Sequence, residues 1–290
     1  MCEPSTVTPP DARSVHGRGF ADAWRATVVA ELAEVLENRA VNVEYRHLVV
    51  ACSAAAAAAL PGQFFELLCP PPPTGEAPFL RRPMSLYGAD PRLGRVEFLY
   101  KVTGAGTRGL ETLVPGDRLD IMGPLGVGFH LDPGWRSIVV IGRGAGLATL
   151  TPLAQAAHRG GIALAAILSA RHPSLVVSQE RFAAFGAEVM AVTDAQSTSG
   201  PANVERILRQ LIAGGRSDAL FLCGSSRLLK VAQRLAAEFG LPGQVALEQQ
   251  MACGIGLCHC CVRDFCVAGR IVSRRVCWDG PVFDLKEALP

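Results

Sequence analysis

The chain has 290 residues, 49% of them hydrophobic, which is enough for more than one core and too much for a disordered polymer. A formal net charge of +2 gives no electrostatic case for nucleic acid or an anionic membrane as partner. No stretch reaches the ~18 apolar residues of a spanning helix, and the start of the chain, with Pro4, Pro9 and Pro10, lacks the apolar core of a signal peptide; a cytoplasmic location is expected.

Residues 1–22 read as a disordered tail. Residues 23–133 read as short β segments broken by Gly and Pro: Arg25 to Ala30, Glu44 to Ala51, Gln63 to Leu68, Val96 to Val102 and Arg118 to Met122. Their regular turn signals predict a small β-barrel or sandwich. The alanine run from Ala54 to Ala59 is a connector of about one helical turn. From Ser137 the texture changes. The segments Ile138–Ile141, Ala163–Ser169, Glu188–Thr193 and Ala219–Cys223 read as buried strands. They alternate with helical stretches ending near Arg159, over Asn203 to Ala213 and over Ser226 to Phe239. That alternation predicts a doubly wound α/β domain over 134–246, with a cysteine-rich domain over 247–290.

The last segment carries Cys253, Cys258, Cys261 and, fifteen residues later, Cys277. C-x4-C-x2-C…C is the spacing of a plant-type [2Fe–2S] cluster, a one-electron carrier. Gly254 and Gly256 supply the backbone freedom such a loop needs. A zinc site built on Cys258 and Cys261 is the competing reading, but structural zinc usually pairs two short knuckles. A disulfide set is disfavoured by the expected compartment. Cys260 and Cys266 fit no ligand position; His259 or Cys277 would complete the zinc alternative, and His259 otherwise reads as a surface residue beside the ligands.

Three other stretches carry chemistry. Gly142, Gly144 and Gly146 sit between a predicted strand and helix, where backbone approaches a pyrophosphate. No acidic residue closes the second strand; Ser169-Ala-Arg171-His172 stands there, against the usual dinucleotide fingerprint. Arg82-Pro83-Met84-Ser85 has an Arg and a Ser placed to clamp a phosphate and a flat ring. Tyr100 to Gly109 is a strand running into a Gly- and Thr-rich loop whose N–H groups are candidates to cradle a second phosphate. No Ser-His-Asp or metal-hydrolase constellation is visible, so no catalytic acid, base or nucleophile is assigned.

Taken together, these stretches, with Gly116 to Phe129 and Leu222-Cys-Gly224, resemble the ferredoxin–NADP reductase superfamily. The block from Met251 to Phe283 narrows the resemblance to the electron-transfer subunit of two-subunit, NAD-linked dihydroorotate dehydrogenases, enzymes of pyrimidine biosynthesis. The resemblance implies a β-barrel FAD domain, an NAD(P) domain and a [2Fe–2S] domain. It implies that Arg82, Pro83, Met84, Ser85, Tyr100, Lys101, Val102, Gly106 and Thr107 bind FAD, and that Gly142, Gly144, Gly146, Cys223 and Gly224 serve NAD(P). It implies a heteromeric complex in which a partner chain, a flavin dehydrogenase, holds the substrate site. Flavin exchanges both hydride and single electrons, so the expected order is nicotinamide, FAD, cluster, partner. The chain departs from the family at Arg143, where glycine is usual, at Ala148-Thr149 in place of Ala-Pro, and at Gln249-Gln250 in place of Arg-Pro. Two alternatives stand beside this reading: the same module serving a different oxidoreductase, and a zinc-bound scaffold on a degenerate reductase fold.

Overall fold

The computed structural model describes residues 27–290; the expected N-terminal tail lies outside the described residues. Six antiparallel strands come first: β1 (Val29–Ala40), β2 (Tyr45–Ala51), β3 (Phe64–Leu68), β4 (Arg82–Asp90), β5 (Arg95–Lys101) and β6 (Arg118–Leu125). They form a closed barrel in the order β1-β2-β5-β4-β3-β6. Because β1 bonds to both β2 and β6, neither end of the sheet is left as an open edge. Period-2 alternation decides what fills it. Leu48, Val50, Phe65, Leu67, Val96, Phe98, Leu119 and Ile121 point inward, and Leu110 of the short helix α2 (Ala105–Glu111) seals one end. Between β2 and β3 the alanine run makes a single turn, α1 (Ala54–Ala57).

A six-stranded sheet follows, in the order β14-β11-β10-β7-β8-β9. Its strands are β7 (Ser137–Arg143), β8 (Ala163–Ala170), β9 (Glu188–Thr193), β10 (Ala219–Cys223), β11 (Gly243–Ala246) and β14 (Val282–Asp284). All pairings are parallel except β11–β14. Alternate residues of β7 serve opposite faces. Ile138 and Val140 pack under α3 (Gly146–Arg159) and near Phe182 of α4 (Gln179–Ala184). Val139 and Ile141 face α5 (Pro201–Ala213) and α6 (Ser226–Glu238). This is the doubly wound layer the sequence predicts, and β7 and β10 flank its switch point.

The cysteine-rich segment forms a hairpin of β12 (Val262–Val267) and β13 (Arg270–Arg275), then the helical turn α7 (Val276–Asp279). Phe265 of the hairpin packs on Phe283 with ring centroids 4.3 Å apart. The segment expected as a separate cluster domain then gives β14 to the nucleotide sheet, and its core is continuous with Phe64 and Leu125 of the barrel. The cluster loop is thereby held against both other units.

Candidate cofactor sites

The four expected ligands form two pairs. Cys261 and Cys277 are buried with their sulfurs 3.2 Å apart. Cys253 and Cys258 form the other pair, with the Cys258 N–H directed 3.5 Å onto the Cys253 sulfur. Further amides point at sulfur: Cys277 N–H to Cys261 at 3.4 Å and Cys260 N–H to Cys258 at 3.5 Å. Burial raises the Cys253 thiol, but the N–H groups of Cys258, Ile255 and Leu257 outweigh it and bring the pKa to about 7. Burial and the neighbouring Cys261 sulfur push Cys277 up. The loop turns through Gly254 at φ +68° and Gly256 at φ +79°, as the spacing requires. Two thiol pairs with amide donors aimed at them suit a binuclear iron–sulfur cluster, whose potential such hydrogen bonds help to set. Cys260 belongs to neither pair: it is exposed and its sulfur lies 3.9 Å from the Gln250 carbonyl. Cys266 lies half-buried on β12, and His259 is exposed at φ +57°.

The two flavin motifs meet at Gly106. A methyl there would lie 2.8 Å from Arg82 Cγ and 3.3 Å from the Cys69 sulfur, so glycine lets the Arg82 stem lie across α2. Arg82 donates to the Leu80 and Arg81 carbonyls at 2.6 and 3.2 Å, and no carboxylate among the described residues pairs with it. Its charge is therefore available to an anionic ligand. Pro83, Met84 and Ser85 follow along β4, all half-buried. Thr107 closes its own turn: its hydroxyl accepts from the Thr103 and Gly104 N–H groups at 2.8 and 3.1 Å. Those two amides are thus not donors to a phosphate. Tyr100 faces the barrel interior, 2% exposed, and donates to Asn38 at 3.0 Å. Lys101 pairs with Glu44 at 2.7 Å, and Val102 packs at the barrel rim. For Tyr100 and Val102, main chain is what the geometry offers a ligand.

At the switch point the nucleotide motifs also meet. A methyl on Gly146 would lie 2.6 Å from the Cys223 carbonyl, and one on Gly224 would lie 2.9 Å from that of Arg143. Gly142 lies against Leu147, and Gly144, at φ +58°, against the Tyr45 hydroxyl of the barrel. Ligands bind doubly wound sheets at this crevice. Arg143 does not reach into it as a free cation. Its guanidinium holds Asp194 through two nitrogens, at 3.2 and 2.6 Å, and donates to Ser169 at 2.8 Å. Glu248, to which the sequence gives no role, also stands beside this crevice. It is open to solvent yet ringed by protein, and desolvation raises its carboxyl. It acts electrostatically on Cys223 and Tyr45. Only the parallel pairing of β11 with β10 brings it there.

An antiparallel barrel, a doubly wound nucleotide layer and a cysteine-rich segment packed on both define a ferredoxin reductase-like electron-transfer flavoprotein. The solved structure of an NADH-dependent reduced ferredoxin–NADP oxidoreductase matches with a TM-score of 0.72 and 25% identity, covering 89% of each chain. The ferredoxin reductase in carbazole 1,9a-dioxygenase shares the fold, with a TM-score of 0.59, 22% identity and coverage of 74% of this chain and 67% of that one. A family model for the iron–sulfur cluster binding domain of dihydroorotate dehydrogenase B matches residues 248–288. The electron transfer subunit of dihydroorotate dehydrogenase B (NAD(+)) from Desulforamulus reducens is 33% identical over 78% of this chain and 85% of that protein. Its counterpart from Geobacillus thermodenitrificans is 35% identical over 79% and 86%. The chain belongs to this family of electron transfer subunits. It is an oxidoreductase subunit whose cofactors are FAD, a [2Fe–2S] cluster and NAD(P).

Proposed function

We propose that this chain carries electrons between NAD and a partner subunit that oxidises dihydroorotate, in the cytoplasm. The observation that carries the reading is the two thiol pairs, Cys253 with Cys258 and Cys261 with Cys277, in a segment whose loop packs on β3 through Gly254 and Glu66. The relatives' names supply the substrate and NAD(+). When bound, FAD converts a two-electron hydride exchange into single-electron steps.

The residues divide the work as follows. Arg82 and Ser85 hold the flavin's phosphate and ring, with Pro83 and Met84 fixing the strand between them. Gly106, Thr107 and the main chain of Tyr100, Lys101 and Val102 shape the cradle. Gly142, Gly144 and Gly146 admit the nucleotide's phosphates, and Cys223 and Gly224 line the nicotinamide end beside Glu248. Cys253, Cys258, Cys261 and Cys277 hold the cluster. Among the described residues the units are a barrel up to 133, a nucleotide layer over 134–246 and a cluster segment over 247–290. The exposed tip of the loop, Leu257 to Cys260, faces the partner.

The test is isolation of the native complex, with flavin, iron, sulfide and subunit analysis. Stoichiometric FAD and two irons per chain, with a dihydroorotate-oxidising flavoprotein as the bound partner, are expected. Copurification with a different oxidoreductase alone would move the chain to another electron donor while keeping its chemistry. A colourless preparation holding zinc would overturn the reading.

A further inference from the structure

Glu66 has no place in the flavin and cluster assignments above. It lies mid-strand on β3, opposite Pro83 of β4 on one side and Met122 of β6 on the other. Its neighbours Phe65 and Leu67 fill the barrel, so strand alternation sends Glu66 outward. Outward is not into solvent: the residue is 1% exposed. What it meets is the cluster loop. A methyl at Gly254 would lie 2.6 Å from Glu66 Cγ and 2.8 Å from Oε1, and Gly254 follows Cys253 directly.

Neither carboxyl oxygen has a hydrogen-bond partner among the described residues. The nearby cations are engaged elsewhere. Arg81 holds Asp120 through two nitrogens at 3.0 and 2.8 Å, and Arg82 donates to main-chain carbonyls. An acid buried without a partner is costly, and an apolar side chain of that shape would pack there without the cost. The acid lies between the strand that opens with the flavin clamp and the loop that carries the first thiol pair.

We propose that Glu66 is a positioning residue for the electron step between flavin and cluster, whose carboxylate holds the cluster's reduction potential down relative to the flavin's. Reduction adds negative charge to the cluster. A fixed negative charge against its loop, in a site screened from water, opposes that addition. The residues that would hold the flavin stand on the neighbouring strand β4, whereas Gly254 of the cluster loop lies directly on the Glu66 carboxyl. The inference rests on the functional reading above.

The experiment is an EPR-monitored potentiometric titration of the native complex and of its Glu66→Gln variant, at one mildly alkaline pH. Glutamine keeps the volume and removes the charge. A raised cluster midpoint is expected, with a smaller change at the flavin and unchanged FAD and iron content. Glu66→Asp, which keeps the charge, stays near the wild-type midpoint. A redox-difference infrared spectrum of the wild-type complex gives a readout that needs no variant to fold. Cluster reduction shifts a carboxyl band there, and Glu66→Gln removes it. A fully loaded Glu66→Gln complex with the wild-type midpoint overturns the proposal, as does a wild-type difference spectrum without a carboxyl band. A wild-type complex lacking flavin or iron would instead defeat the functional reading, so the two failures are told apart.

Discussion

A cysteine becomes a cluster ligand through where its sulfur points, and neighbouring cysteines of this chain point differently. Cys258 shares a pair with Cys253, whereas the Cys260 sulfur turns to the Gln250 carbonyl at 3.9 Å. Cys258→Ala is therefore expected to abolish the visible absorbance and EPR signal of the cluster, while Cys260→Ala retains both with nearly full iron. Equal loss in the two variants would overturn the ligand set. Glu66 gives the stability counterpart. Its burial raises the carboxyl to about 7, helped by the Cys253 sulfur and opposed by Arg81 and Arg82. Replacing an unpartnered buried acid by leucine removes a desolvation cost of about 1–3 kcal/mol. Glu66→Leu should accordingly raise the unfolding free energy read from denaturant titration by that order, even as it disturbs the cluster potential. The ligands were legible in the sequence because a cluster imposes a spacing on one short loop. Glu66 was not: within Gln63-Phe-Phe-Glu-Leu-Leu it reads as one more strand position. Only the packing of a loop nearly 190 residues later gives it a neighbour.

Among the elements, legibility follows the length of the apolar run. Strands β7, β8 and β10 are buried on both faces and read as continuous hydrophobic segments. Strands β11 and β14 have four and three residues, too few for any pattern. Their place comes from long-range pairing, and with it the stitching of the cluster segment into the nucleotide sheet. The turn after β7 shows the same limit. Its glycines announced close backbone approach, which Gly146 against Cys223 makes good. Arg143, which stands where glycine is usual in the family, is held by Asp194 across the ends of β7 and β9. The guanidinium and then the Ser199 hydroxyl hold the Asp194 carboxyl below its ordinary range. Asp194→Asn should free the guanidinium for a nucleotide phosphate. Roughly ten-fold tighter NAD(P)H binding is expected from one charge-assisted contact, read by fluorescence titration. The gain should vanish when Arg143→Gly is added. Weaker binding in Asp194→Asn alone would mean that the ion pair orders the loop for the nucleotide instead.

The whole molecule depends on the barrel and the nucleotide layer keeping one orientation, because a wire of cofactors conducts only at fixed spacing. Two sets of contacts hold the joint. Tyr45 and Tyr87 of the barrel pack into the α3 core. Beside them runs a polar strap: His47 Nε2 lies 2.9 Å from Glu97 Oε2, the same oxygen accepts from Arg181 at 2.7 Å, and the Arg181 guanidinium stacks 4.2 Å over the Tyr87 ring. Tyr87 in turn accepts from Ser178 at 3.2 Å. The strap borders a crevice of about 560 Å³ between the two units. Nothing in the sequence announces it, since its members come from β2, β4, β5 and α4. Burial by itself raises the Glu97 carboxyl, but His47 and Arg181 together outweigh it and bring the pKa down to about 2. A carboxylate depressed in the folded state stabilises fully above its unfolded pKa of about 4.3. That contribution fades as the pH falls from there through about 2. Glu97→Gln should cost about 2–3 kcal/mol at neutral pH, less than the ~3–5 kcal/mol of a fully buried pair because Arg181 is a third exposed. Denaturant titrations of both proteins at descending pH should show the gap constant down to about pH 5 and closing below about 4. A gap that stayed constant through that acid range would mean that Glu97 is not the ionised centre of the strap.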